Sequence, residues 1–282
     1  MTTADWAEEN VPWWWLVREG WDRYWRLNAP VLAGHIAFRT FVFLLPVAFL
    51  LVAVAGFLRS TGTDPQDVGS SLGLGQAIGQ SMRQAGQDSQ EAWYHVAWVA
   101  GAGLIMGSLG LASGLHYVYL QLWQMPFQKP AGKARATLEM GGGFIAILLV
   151  AVVAHALRSR GLLAGTAGVA LLGLVGFGGF LGLGIALPRR ASEWRWLIPG
   201  SVLGAAGVVG LQVFAAVYLP SRLASFSQTY GAFGIAATFI FYLYLIGQLL
   251  VLSVVVNAVW FDHYRPDEAP PPAADAARSP DH

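Results

Sequence analysis

The chain has 282 residues, of which 55% are hydrophobic and only 12% charged, against about 25% charged in a soluble domain, so a soluble globular class is excluded and a polytopic membrane protein indicated. The absence of cysteine rules out disulfides and cysteine-based metal sites, and a net charge of +1 offers no overall attraction to nucleic acid. Twelve tryptophans suit a chain with many membrane boundaries, where indole sits with one end wet.

The N-terminal segment, 1–30, is Trp-rich and of mixed charge, without the basic region and small-residue cleavage site of a signal peptide. Within 11–28 (VPWWWLVREGWDRYWRLN), Trp14, Val17, Trp21, Tyr24 and Trp25 share one helical face, and Glu19, Asp22, Arg23 and Arg26 lie opposite. This predicts an amphipathic helix lying in the membrane interface, the alternative being a soluble helix against a partner. Pro30 then turns the chain into the first span.

That span, 31–58, exceeds the roughly 20 helical residues needed to cross a hydrocarbon core about 30 Å thick, yet it carries His35 and Arg39. Residues 59–92 turn polar and form an outside loop, in which Val68, Leu72, Leu74, Ile78 and Met82 mark a short amphipathic helix. The second span covers 93–122. The third, 140–157, and the fourth, 162–187, are separated by four residues and form a hairpin across the membrane, the alternative being one re-entrant unit. A basic loop leads to the fifth span, 196–219, and a turn at 220–229 to the sixth, 230–260. The tail, 261–282, with three consecutive prolines, is expected to be disordered. The fold class is therefore all-α: a transmembrane helical bundle of about six spans, 31–260, with an N-terminal interfacial helix.

Basic residues orient the bundle. The N-terminus, the second and fourth loops and the tail hold eleven of the seventeen Lys and Arg, against five on the other side, which places both termini in the cytoplasm. Glycines recur four apart at Gly103 and Gly107, Gly110 and Gly114, Gly161 and Gly165, Gly178 and Gly182, and Gly200 and Gly204. Small residues at that spacing admit close helix contact, here expected within the bundle rather than between copies.

Carboxylates decide against most enzymes. Of the sixteen Asp and Glu, only Glu139 and Asp262 lie close to the bilayer, so no helix presents a converging metal or acid set. The histidines at 35, 95, 116 and 155 are not at metal-ligand spacing, and no phosphate-cradling Gly-rich loop with Lys and Ser/Thr is present. No cofactor and no metal is expected.

Arg39 is the residue to explain. A guanidinium in a span costs about 2.5–3.5 kcal/mol on insertion scales, so such residues face protein or a wet cavity. His35 sits one turn earlier on the same face, and Arg39 lies roughly 12 Å deep at about 1.5 Å per residue. Helical side chains lean toward the N-terminus, so Arg39 can snorkel to the near surface, where Glu139 and Asp262 are its natural partners. Two readings follow: an internal ion pair or snorkelled anchor, or an anion site, formed with His35, for a group such as a lipid phosphate. Pro46 would free a backbone carbonyl and kink the span beside that site.

At AFRTFVFLLP, Ala37 to Pro46, and at YGAFGIAATFIFYLYLIGQLLVLSVVVNA, Tyr230 to Ala258, the chain resembles the YihY/BrkB family of bacterial inner-membrane proteins. The most specific positions are Ala37, Phe38 and Pro46, then Tyr230, Gly231, Gly234, Leu243, Tyr244 and Asn257. Members often have Tyr at the position of Arg39, Ser at that of Phe43 and Glu at that of Val255, which points to a divergent branch. The resemblance implies six spans, an inner-membrane location, and association with envelope integrity and export of lipids. The ribonuclease label once given to some members finds no acid cluster, metal set or RNA groove here. The expected partners are the lipid bilayer and an anionic lipid substrate, with no nucleic acid. Translocation of an anionic amphiphile and a non-transporting membrane scaffold are the two functions carried forward.

Overall fold

The computed structural model describes residues 13–60, 93–127, 162–230 and 232–268, and among them all regular structure is helical. In order these are α1 (Trp14–Arg26), α2 (Ala29–Ser60), α3 (Trp93–Leu122), α4 (Leu162–Ala186), a 3₁₀ turn (Trp194–Leu197) running into α5 (Ile198–Tyr230), α6 (Ala232–Tyr264) and a final 3₁₀ turn (Pro266–Glu268). Helices are the expected solution in lipid, where every backbone N–H and C=O must be satisfied within its own segment. Ala29–Leu50, Ala97–Leu122, Trp194–Phe214 and Ala237–Tyr264 are long and apolar enough to cross a bilayer, and Ala170–Ala186 is a shorter apolar stretch. This agrees with a helical membrane bundle of about six helices. The expected third span, Glu139 and the outside loop beyond Ser60 lie outside the described residues.

Three boundaries differ from expectation. The turn into α2 is made by Asn28, whose φ of 51° is the left-handed region that asparagine tolerates. Its carbonyl accepts from the amides of Val31 and Leu32, and Pro30 sits in the first turn of α2, where its missing N–H costs nothing. Next, 220–229 is not a turn: α5 continues through Pro220 to Tyr230, and no glycine interrupts 211–230. Finally, α6 carries the chain to Tyr264, so Phe261 and Asp262 belong to the bundle and not to the tail.

Helix α6 touches all five other described helices, and α2 against α3 is the most extensive pairing. The α2–α3 seam is lined by glycine. A Cβ added at Gly103 would stand 3.0 Å from Pro46, at Gly107 3.2 Å from Phe43, at Gly110 3.2 Å from Arg39 Nη1, and at Gly114 3.2 Å from Arg39 Cγ. Two of the expected glycine pairs therefore act within the bundle, and so does the pair at Gly200, against Ser253 and Asn257, and Gly204, against Phe180. Gly178 and Gly182 meet nothing within 4 Å, and Gly161 lies outside the described residues. The buried core, with Leu32, Ile36, Leu122, Trp123, Val255 and Phe261 among its members, lies toward the end where α1, the start of α2, and the ends of α3 and α6 meet. We call this the basal end.

Candidate functional site

Helix α1 docks on the basal end through Trp15, Leu16, Arg23 and Tyr24, so Arg23 of its polar face turns inward together with Tyr24 of its hydrophobic one. Arg23 and Tyr24 are buried while Val17, Trp21 and Trp25 are exposed, so these three look outward and the arginine looks into protein. Trp15 stacks on His263 with ring centroids 3.7 Å apart and packs against Trp260, which joins α1 to the end of α6.

Asp262 is therefore not the partner of Arg39. It accepts from Arg23 Nη1 at 2.5 Å and from Arg190 Nη2 at 2.7 and 2.9 Å. The same two arginines close the C-terminus of α3. There Gln124 at φ 51° forms a cap in which its N–H donates to the Gln121 carbonyl and the Met125 N–H to the Leu120 carbonyl. The cap leaves the carbonyls of Leu122 and Trp123, which accept from Arg23 Nη2 at 2.9 Å and Arg190 Nε at 2.8 Å. Cations there also complement the negative end of the helix dipole. Arg190 lies over the rings of Trp123 and Phe261, 5.8 and 5.9 Å from their centroids. Burial pushes the Arg23 guanidinium below its ordinary value and Asp262 pulls it back up. From the sequence, Arg23 belongs to the polar face of α1 and Arg190 to an orienting basic loop. The available signal was that Asp262 is one of two carboxylates near the bilayer.

Arg39 and His35, one turn apart on α2, both face α3. Arg39 is half-buried, and its Nη1 donates to the Gly110 carbonyl at 3.3 Å, a long bond. His35 Nε2 lies against Gly114, and its ring meets Tyr117 edge-on at 6.0 Å. Among the described residues no carboxylate neutralises Arg39. Glu139, its other expected partner, lies outside them.

The motif residues fall into packing and hydrogen-bonding roles. Asn257 Oδ1 accepts from the Gly200 amide at 2.7 Å, and Ser253 Oγ donates to the Gly200 carbonyl at 2.7 Å, which clamps the start of α5 to α6. Tyr244 bonds Gln248, and Gln248 accepts from Tyr24 at 2.6 Å, so α1 is tied to α6 a second time. Ala37 and Leu243 are buried, Pro46 packs on Gly103, and Phe38 is exposed. Tyr230 ends α5, Gly234 lies in the first turn of α6, and Gly231 lies outside the described residues. Among the described residues no group of three or more His, Cys, Asp or Glu could hold a metal ion.

The family model described as Virulence factor BrkB matches residues 20–278. No curated protein and no solved structure gives a match.

Proposed function

The chain belongs to the BrkB family of membrane proteins, and on that premise we propose that it binds an anionic amphiphile, such as a phospholipid, and helps it across the membrane. The observation that carries this reading is Arg39: a half-buried guanidinium within an apolar span, bonded among the described residues to one backbone carbonyl, while Asp262 is held by two other arginines. A bound phosphate would supply the missing counter-charge in the bidentate geometry that guanidinium favours. His35, on the same face, adds a second polar group. The reading is of a non-enzymatic protein of the bacterial cytoplasmic membrane that serves envelope integrity. Both termini in the cytoplasm is supported by the bias of Lys and Arg and by the meeting of α1 with the end of α6.

The test is lipid binding to purified protein in nanodiscs, comparing phosphatidylglycerol with phosphatidylcholine. A hydrogen bond to a charged group contributes about 1.5–3 kcal/mol, so Arg39→Gln should lower the preference for the anionic lipid by roughly tenfold or more, with Arg39→Lys intermediate. An unchanged preference in Arg39→Gln would favour the second reading, a non-transporting scaffold. The ion-paired basal end, which ties four segments together, is the observation that favours it.

A further inference from the structure

Ser113, Tyr117 and Gln121 stand four residues apart on α3 and all three are exposed, so a polar stripe runs along one face of a membrane-spanning helix. A face that meets only acyl chains has no use for such a stripe, because lipid offers its polar atoms no partners.

Two of the three stripe residues, Ser113 and Tyr117, are matched by Arg39 and His35 of α2. Ser113 Oγ and Arg39 Nη1 donate to the same acceptor, the Gly110 carbonyl, at 2.9 and 3.3 Å, which sets hydroxyl and guanidinium side by side. One turn toward the basal end, Tyr117 meets His35. One turn further, Gln121 Nε2 donates to the Tyr117 hydroxyl at 3.3 Å. That bond uses neither the Tyr117 O–H proton nor the Gln121 amide oxygen, and both residues are exposed.

The strip has a length and an end. From Gln121 to Gly110 the helix rises through eleven residues, roughly 16 Å, about half of a 30 Å hydrocarbon core. Beyond Gly110 the same seam turns apolar, with Gly107 on Phe43 and Gly103 on Pro46, and with Ile105 and Met106 exposed beside it.

We propose that the α2–α3 seam is a lateral headgroup track: the phosphate of an anionic phospholipid enters sideways from the basal leaflet at Gln121 and advances past Tyr117 and His35 to Arg39, near mid-membrane. Its acyl chains stay in the bilayer beside the exposed Phe38 and Val42. This rests on the reading of Arg39 as an anion site and adds the route, the leaflet of entry and the point where the track stops. Charge complementarity selects the occupant, since the strip holds one guanidinium and no carboxylate among the described residues.

The chain has no cysteine, so single cysteines report cleanly. Ser113→Cys, Tyr117→Cys and Gln121→Cys sample the track, and Ile105→Cys and Met106→Cys the apolar continuation. In proteoliposomes treated with a charged, membrane-impermeant thiosulfonate, the track cysteines should react at least tenfold faster than the other two. Dihexanoylphosphatidylglycerol should slow that reaction, and dihexanoylphosphatidylcholine or inorganic phosphate at equal concentration should not. Equal reaction at all five positions overturns the track, as does fast reaction that no anionic lipid slows or that inorganic phosphate slows as well. Protection that survives Arg39→Gln keeps the track and overturns the role of Arg39. Equal reaction at all five positions, with lipid preference still lost in Arg39→Gln, keeps the role of Arg39 and removes the track.

Discussion

Arg23 in α1 and Asp262 in α6, 239 residues apart in sequence, meet at 2.5 Å with side chains only 5% and 13% exposed. Breaking a buried pair by removing one partner costs about 3–5 kcal/mol, because the remaining charge is left uncompensated. Asp262→Ala strands two arginines and should lower the unfolding temperature most. Arg190→Gln should cost less, because Asp262 keeps Arg23 and the Arg190 side chain is 15% exposed. Thermal unfolding in nanodiscs orders the two variants, and an Arg190→Gln as damaging as Asp262→Ala would contradict this arrangement.

Glycine substitutions should separate sharply by position. A Cβ at Gly200 would lie 2.0 Å from the Ser253 carbonyl oxygen, a backbone atom that cannot rotate away. Gly200→Ala should exceed the usual overpacking cost of about 1–3 kcal/mol and abolish the folded species. Gly178→Ala meets nothing within 4 Å and should leave the yield unchanged or improved. The elution profile of detergent-solubilised protein distinguishes the two.

Tyr24 gives a pH signature. Burial raises its phenol above the ordinary value, while it donates to Gln248 at 2.6 Å. Below about pH 10 the phenol is protonated in the folded and unfolded states alike, so its contribution is flat. Above that the unfolded chain releases the proton first, and stability falls as pH climbs through the raised folded value. Tyr24→Phe, less stable by about 0.5–1.5 kcal/mol near neutrality, should therefore lose less on alkalinisation than the wild type, with the gap closing above pH 10. A gap constant across that range would count against the buried phenol.

The outward aromatic row of α1 should be visible to lipid. In single-tryptophan variants, Trp21 and Trp25 should be quenched by phospholipids brominated near the carbonyl region, whereas Trp123, with no exposed surface, should not. Equal quenching of the three would place α1 away from the interface.

Much of this architecture is legible one residue at a time. Uninterrupted apolar runs mark α2, α3 and α6 because lipid demands a self-satisfied backbone, and the glycine spacing marks Gly103, Gly107, Gly110 and Gly114 as contact positions because only a missing side chain lets helices approach so closely. Arg39 stands out for its cost in an apolar setting. The boundary at Pro220 was less legible, since proline signals a break while the residues around it still support a helix.

Composition, run length and spacing by themselves determined that this is a helical membrane bundle, because those properties act along the chain. Tertiary structure alone decided which cation Asp262 would hold, which face of α1 turns inward, and that Ser113, Tyr117 and Gln121 line up with Arg39 and His35. Charge pairing and seam formation depend on distance in space, and residues at 23, 190 and 262 become neighbours only once α1, the segment between α4 and α5, and α6 have packed at the basal end.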